Sequence, residues 1–454
     1  MSAYDLIIRG GTVVTPDGVK VADLGVTEGR IARIAATIAE PAVAEIDATG
    51  RWVLPGIIDA HVHFNEPGRT EWEGIATGSA ALAAGGGTCF FDMPLNSEPP
   101  VLDAARLNEK RAIAEKKSAT DFALWGGLTP VNLDRLGELR DAGAIGLKAF
   151  MCESGIASFP HVDAGALREG MKRAAALGLL VAVHAEDETL AARLTAEQKA
   201  AGRNDARGYL ASRPVEVELA AIGHALEFAG ETGCALHVVH VSSPEGLALI
   251  ADAKRRGVDA TAETCPHYLI LNEEDVARIG AAAKCAPPVR DDARRRGLWA
   301  DLRAGRVDTV GSDHSPAPAA MKEGSDFFAI WGGIAGVQRG FGLVMDEALN
   351  ESRAEKTLSL LATVLARNVA RRFRLGSAAG VIAEGAEANF AIWERGTERQ
   401  IEAAELQTRH KISAYVGRRC RARVTHTFLR GEAVWADGRL TPEREPARFL
   451  RPRK

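Results

Sequence analysis

Hydrophobic and polar positions follow two patterns along the chain, and the first pattern ends near residue 55. Residues 4–55 contain short apolar runs, such as Tyr4–Arg9 and Thr12–Val14, separated by Gly-Gly and Pro-Asp-Gly turns. Short runs of this kind between turn residues are typical of β-strands. The first 55 residues therefore predict an all-β module.

From Gly56 onward, short apolar runs alternate with amphipathic stretches. This alternation is typical of βα units around a parallel sheet, and eight such units predict a closed (β/α)8 barrel. The predicted strands are Ile57–His63, Thr88–Met93, Asp121–Leu128, Ala144–Met151, Leu180–His184, Leu236–Val241, Val258–Glu263 and Val307–Asp313. Apolar residues recur at helical spacing in Glu71–Ala84, Asp103–Lys117, Ala164–Ala176, Val215–Ala229, Pro244–Arg255 and Asp291–Arg303.

The strand pattern returns near the C-terminus. After a last helix near Leu358–Arg372, strands are predicted at Gly380–Trp393 and Ala422–Trp435. We therefore predict an α/β protein in which a β-sandwich-like domain is assembled from both ends of the chain around a TIM barrel. The predicted domains are residues 1–55 plus 375–454 for the β domain and residues 56–374 for the barrel.

Composition restricts the class of function. The chain has 56 Lys and Arg against 60 Asp and Glu, a formal net charge of −4, so no strong field attracts nucleic acid or anionic membrane. No secretory pattern or long apolar run is present, and six scattered cysteines suit reduced thiols. We expect a cytoplasmic protein with a small-molecule partner, and we interpret the basic tail Arg448–Lys454 as a solvated end.

Histidines and acidic residues are predicted at the carboxyl ends of barrel strands, where the catalytic groups of such barrels lie. His61 and His63 end the first strand, and residues two apart on a strand share a face, so both imidazoles can reach one ion. This pair alone also occurs by chance. Its convergence with candidates at four other strand ends makes a metal site the better interpretation. Those candidates are Lys148, His184, His240 and Asp313.

Lys148 is unusual in this set, because desolvation and nearby metal ions would strongly disfavour its ammonium form. Reaction of its amine with CO2 would give a carbamate, an anionic ligand with two oxygens that can bridge two ions. For any single lysine, a surface or salt-bridged position is the more common explanation. His237, three residues before His240, is predicted to face the helical layer, and His314 is predicted to point away from Asp313.

Several motifs resemble the amidohydrolase superfamily, specifically its cyclic amidohydrolases: the allantoinases, the hydantoinases or dihydropyrimidinases, and the dihydroorotases. The resemblance spans essentially the whole chain. The motifs that carry it are Asp5–Thr12, Asp59–His63, Gly146–Phe150, His240–Gly246, Thr264–Tyr268 and Ser312–Pro316.

Within this group the chain is most similar to the allantoinases, in Asn65–Gly74, Asp92–Asn96, Lys284–Arg290, Trp331–Gly336 and His410–Gly417. Dihydroorotases tend to have an arginine two residues after the H-x-H pair, where it clamps the substrate carboxylate. This chain has Asn65 there, and allantoin has no carboxylate. The alternatives are a hydantoinase and, least supported because all six candidate ligands are kept, a non-catalytic scaffold.

The resemblance implies two divalent metal ions, with zinc favoured and iron, cobalt or manganese compatible. His61, His63 and Asp313 would bind one ion, His184 and His240 the other, and N6-carboxylated Lys148, formed with CO2, would bridge them. A hydroxide between the ions would be the nucleophile, with Asp313 as the catalytic acid and base.

The resemblance also implies a homotetramer and a set of substrate contacts. The expected contacts are Ser315, Cys285, Ala286, Gly332 and Asn96. Two positions depart from the family pattern: Ala286 stands where relatives often have serine, and Ala149 where cysteine is frequent. These departures leave the enantiomer preference open.

Overall fold

The computed structural model describes residues 2–350, 354–442 and 445–453. The strands are β1 (Tyr4–Thr15), β2 (Gly18–Thr27), β3 (Arg30–Ala35), β4 (Ala42–Asp47), β5 (Trp52–Pro55), β6 (Ile57–Val62), β7 (Gly87–Asp92), β8 (Asp121–Leu124), β9 (Gly126–Gly127), β10 (Leu147–Phe150), β11 (Val181–His184), β12 (Leu236–Val238), β13 (Ala260–Thr264), β14 (Thr309–Val310), β15 (Phe390–Gln400), β16 (Arg419–Leu429), β17 (Glu432–Ala436) and β18 (Arg439–Leu440).

The helices lie mostly between the barrel strands. They are α1 (Ile75–Ala84), α2 (Ala104–Lys117), α3 (Leu136–Ala142), α4 (Ala164–Ala176), α5 (Glu188–Ala200), α6 (Ala206–Ser212), α7 (Val215–Thr232), α8 (Pro244–Arg255), α9 (Pro266–Ile270), α10 (Glu273–Ile279), α11 (Asp292–Arg303), α12 (Gly340–Ala348), α13 (Ala354–Ala362) and α14 (Asn368–Arg372). Among these described helices, none is long and apolar enough to cross a membrane.

Both ends of the chain contribute to one sheet, in the order β18-β17-β16-β15-β5-β1-β2-β3, with β4 paired to β1. The junction is β5, which pairs parallel with β1 and antiparallel with β15. Apolar residues from both ends, including Ile8, Val13, Leu24, Phe390 and Phe428, share one buried cluster. The predicted β-rich domain from both termini is confirmed, whereas its exact boundaries stay a prediction.

Parallel strands β6 to β14 form the barrel in two hydrogen-bonded arcs, β6-β7-β8 and β9 to β14. The short strands β8 and β9 are separated only by Trp125 and together form the third of the eight barrel strands. Near the carboxyl ends, a parallel bridge between Val62 and His314 closes the circle, with the His63 amide donating to the His314 carbonyl over 2.7 Å. The predicted eight-stranded barrel is confirmed.

The amino-terminal end of the barrel is closed by an aromatic side chain. Phe373 follows α14 and makes edge-on contacts with Phe91 and Trp125, at centroid distances of 5.0 and 5.3 Å. Ile58 and Ala182 belong to the same buried cluster. Because this end is filled with apolar side chains, the polar cavity lies at the carboxyl end.

The C-terminal tail packs against the barrel, so its interpretation as a solvated end is wrong for the described residues through Arg453. The Arg448 carbonyl accepts the Phe122 amide at 3.0 Å, and the Leu450 amide donates to Phe122 over 2.7 Å. The Phe449 ring lies 5.6 Å from that of Phe122. The tail thus covers the edge of β8, because that strand pairs only with β7 in its arc.

Candidate metal centre and active site

The six candidate ligands converge at the carboxyl end of the barrel. His61 lies near the end of β6, His63 directly follows that strand, and Asp313 lies three residues after β14. The Asp313 Oδ1 atom lies 3.1 Å from His61 Nε2 and 3.4 Å from His63 Nε2. The His240 ring centroid lies 5.4 Å from that of His61 and 4.6 Å from that of His184. Ligand atoms of His61, His63 and Asp313 all lie within 4.8 Å of one another, close enough to share one ion.

Two of these ligands have a backbone conformation that side chains rarely adopt. His240 has φ of 42° and Asp313 has φ of 45°. Such left-handed residues are uncommon outside glycine and cluster at functional sites. His240 lies at a turn two residues after β12, and Asp313 lies three residues after β14. Both side chains line the same cavity.

The turn at His240 also explains why one sequence prediction is wrong. His237 does not face the helical layer: its Nε2 atom lies 3.7 Å from Glu263 Oε2, and its ring lies 5.6 Å from that of Phe373 at the barrel floor. Strict alternation placed His237 and His240 on opposite faces, but the chain leaves strand geometry after Val238. Both histidines therefore point into the barrel.

His314, in contrast, points away from Asp313 as predicted. The His314 Nδ1 atom accepts the Gly336 amide at 3.1 Å, and its Nε2 atom lies 3.5 Å from Glu73 Oε2. These contacts leave neither nitrogen for the site. His267 is buried, and neither of its ring nitrogens has a hydrogen-bond partner among the described residues.

Buried polar atoms in the site fit a bound metal. Lys148 Nζ, His63 Nδ1 and His240 Nδ1 are buried without a hydrogen-bond partner among the described residues. An unsatisfied buried polar group costs about 1–3 kcal/mol, so a cluster of them calls for a further partner. Burial lowers the pKa of Lys148 to about 7, which favours the neutral amine that reacts with CO2. The imidazoles of His61 and His63 together with the Asp313 carboxylate suit a divalent metal ion.

Two glutamates that the sequence analysis passed over contact candidate ligands. Glu263, on β13, has Oε1 2.8 Å from His61 Nδ1, and Glu186 has Oε2 2.8 Å from His184 Nε2. Arg213 donates to the same Glu186 oxygen over 2.7 Å. The signals were a charged residue at the end of an apolar strand, Glu263, and an H-x-E spacing from His184 to Glu186.

A cavity of about 360 Å³ is lined by five of the six candidate ligands: His61, His63, His184, His240 and Asp313. Lys148 is fully buried and is not among the lining residues. All five predicted substrate contacts line the cavity: Asn96, Cys285, Ala286, Ser315 and Gly332. Four further residues that were not predicted from the sequence also line it: Tyr209, Arg213, Lys284 and Trp331. Asn65 is not among the lining residues, since its Nδ2 atom faces the Pro316 carbonyl at 3.4 Å.

Three features together define a class of barrel hydrolases: the barrel, the candidate ligands at its strand ends, and the β domain built from both termini. Residues 52–434 match the amidohydrolase family model. The chain belongs to the amidohydrolase family.

Within this family, the chain is similar to curated allantoinases and to solved structures of hydantoinases. The chain is 49% identical to the allantoinase of Deinococcus radiodurans, over 99% of this chain and 99% of that one. It is also 49% identical to the allantoinase of Rubrobacter xylanophilus, over 100% of this chain and 99% of the relative. Among solved structures, an L-hydantoinase (dihydropyrimidinase) from Arthrobacter aurescens superposes with a TM-score of 0.95 at 33% identity, covering 98% of this chain and 99% of the other.

Proposed function

We propose that the chain is an allantoinase that hydrolyses the hydantoin ring of allantoin to give allantoate. The observation that carries this proposal is the full-length 49% identity to curated allantoinases, in a chain where His61, His63 and Asp313 lie close enough to share one ion. Because function resides in the site and not in the fold, neither feature would suffice alone.

His61, His63, His184, His240, Asp313 and carboxylated Lys148 would hold two divalent ions. When bound, such ions lower the pKa of water toward neutrality and polarise a carbonyl oxygen. The chain supplies the shape: His61 in β6 and His63 directly after it provide two imidazoles, and His240 and Asp313, both with positive φ, provide a third imidazole and a carboxylate to the same cavity.

Asp313 is the group that we assign to proton transfer. Its carboxylate lies among His61, His63 and His267. Burial raises its pKa, but the imidazoles lower the pKa by a larger amount, so the residue is anionic near neutral pH. Asp313 would accept the proton of the attacking water and return it to the ring nitrogen as the C–N bond breaks. Overall, one water is added across the amide bond.

The cavity walls would hold the substrate. Ser315 offers a hydroxyl, while Ala286 and Gly332 offer only backbone groups, and a ring amide pairs well with backbone donors and acceptors. Asn96 Nδ2 lies 3.4 Å from Ser315 Oγ, so Asn96 would orient that hydroxyl.

A panel of substrates tests the assignment. Purified protein loaded with zinc, and separately with cobalt or manganese, should hydrolyse allantoin with a higher kcat/KM than 5-substituted hydantoins, dihydrouracil or dihydroorotate. Asp313→Asn should remain folded and lose about 10²–10⁴-fold in rate, the usual contribution of a general acid–base residue. Faster turnover of a 5-substituted hydantoin would favour the hydantoinase alternative, which the Arthrobacter structure supports.

Removal of metal tests whether the activity depends on two divalent ions held by these ligands. Dialysis against a chelator should abolish activity, and elemental analysis should find about two ions per chain, as the donor set suggests. Lys148→Ala should lose both metal and activity, and small carboxylic acids should restore part of each by replacing the carbamate. Light scattering would test the proposed homotetramer.

A further inference from the structure

Two buried carboxylates lie behind two of the candidate ligands. Glu263 contacts His61 at Nδ1, and Glu186 contacts His184 at Nε2, both at 2.8 Å. A hydrogen bond to a carboxylate fixes which ring nitrogen carries the proton and turns the other toward the ion. The contacts therefore leave Nε2 of His61 and Nδ1 of His184 as the nitrogens available to a metal.

The two carboxylates differ in their other partners. Glu186 shares Oε2 with the Arg213 guanidinium, which is 2.7 Å away and only 18% exposed. Among the described residues, Glu263 makes no ion pair with a lysine or arginine, although its charge acts on the nearby Lys148 amine, and its second oxygen faces His237 at 3.7 Å. Both glutamates are fully buried, so solvent does not screen this difference.

Gly311 leaves room for the contact between Glu263 and His61. A Cβ atom at Gly311 would lie 2.6 Å from Glu263 Oε2 and 3.1 Å from His61 Cβ. A Cβ atom does not approach a carboxylate oxygen that closely, so any side chain larger than that of glycine would force the Glu263 carboxylate or its surroundings to shift.

We propose that Glu263 and Glu186 are positioning residues, that Glu263 orients His61 toward one metal ion and Glu186 orients His184 toward the other, and that Arg213 weakens metal binding on the His184 side. An unshared carboxylate increases the electron density that an imidazole donates to its ion, whereas a guanidinium on the same oxygen withdraws it. The inference rests on the proposed metal centre and is independent of the substrate.

Graded chelation tests the proposal. Protein loaded with zinc is dialysed against buffers of increasing chelator strength, and bound zinc is counted at each step. Two controls, His63→Ala and His240→Ala, identify which step belongs to which ion, because each removes a ligand from one side only.

Glu263→Gln should weaken zinc binding about 10–100-fold in the step that His63→Ala removes, the usual effect of losing such a partner. Glu186→Gln should shift only the step that His240→Ala removes, and by a smaller factor. Arg213→Met should shift that second step in the opposite direction, toward tighter binding.

Asp121→Asn is the matched control, since Asp121 is also a buried carboxylate but lies at the amino-terminal end of β8, paired with Arg430. This variant should melt at a lower temperature and keep both zinc steps. Glutamate variants that shift the same step, shift neither, or behave as Asp121→Asn does would overturn the inference, as would weaker binding in Arg213→Met. Wild-type protein that binds no zinc would instead refute the proposed metal centre.

Discussion

At the scale of single residues, the candidate site depends on close approaches as much as on its ligands. Gly311 leaves room for the contact between Glu263 and His61. Gly333 has φ of 123°, and a Cβ there would lie 2.2 Å from the Ser315 carbonyl oxygen. The loop bearing Gly332 can therefore lie against Ser315, one of the proposed substrate contacts, only because a glycine stands beside it.

Gly311→Ala should weaken zinc binding without removing a ligand. The added methyl group would push the Glu263 carboxylate away from His61, because a side-chain end yields more readily than the barrel backbone. We expect a loss of zinc affinity within the range of about 10–100-fold given for such partners, and about 1–3 kcal/mol of overpacking. Chelator titration and thermal unfolding would measure the two effects.

Gly223→Ala is the control for that prediction. Gly223 is exposed on α7, and nothing lies within 4 Å of a Cβ there. The substitution should leave zinc binding unchanged and raise stability by about 0.5–1 kcal/mol, since alanine favours a helix interior. Equal zinc affinity in both glycine variants would contradict the assigned role of Gly311.

At the scale of elements, a buried ion pair joins α2 to the strand ends beside the site. Lys110, fully buried on α2, has Nζ 3.0 Å from Asp92 Oδ2 at the end of β7, and it also donates to the Met93 carbonyl over 2.8 Å. The other Asp92 oxygen accepts the Phe64 amide at 2.9 Å. One pair thus orders the loops that follow His63 and precede Asn96.

Lys110→Met should destabilise the protein by about 3–5 kcal/mol, because it leaves the Asp92 carboxylate buried without its cation. The double variant Lys110→Met with Asp92→Asn should recover part of that loss, since no unpaired charge remains. Denaturant midpoints would measure both. Lys116→Met, at an exposed position of the same helix, should be nearly neutral, and an equal loss there would contradict the prediction.

At the scale of the whole molecule, a second buried ion pair joins the β domain to the barrel. Arg430, after β16, donates to both oxygens of Asp121 at the start of β8, over 2.9 and 2.8 Å. The Arg448 amide of the tail donates to the same carboxylate over 2.8 Å. Burial raises the pKa of Asp121, and Arg430 counteracts this. The start of β8, the residue after β16 and the C-terminal tail therefore meet at the Asp121 carboxylate.

Arg430→Met should destabilise the protein most at neutral and alkaline pH. Without the guanidinium, the pKa of Asp121 rises further above its unfolded value, because burial and nearby Glu387 both favour the protonated acid. The penalty is present above the folded pKa and shrinks as the pH falls through it. The deficit in denaturant midpoint relative to wild type should be larger at about pH 8 than at about pH 5. A deficit independent of pH would contradict this account.

The amino-acid sequence was enough to predict the barrel, the β-rich domain from both termini and the set of candidate ligands. Apolar runs alternating with amphipathic helices have one common solution, a closed parallel barrel. The carboxyl ends of its strands form one rim, so polar residues at those ends converge whatever the details of packing. His61, His63, Lys148, His184 and Asp313 could be placed together on this argument alone.

The residues that support those ligands became apparent only in the folded structure. The contacts of Glu263 with His61 and of Arg213 with Glu186 join positions that are distant in sequence, so a local pattern can mark the glutamates but not the partners that they contact. The turn at His240 reversed the predicted direction of His237, because strand alternation fails where φ becomes positive. Local periodicity fixes where a side chain lies along its own strand, whereas its neighbours across the barrel depend on how the eight strands close.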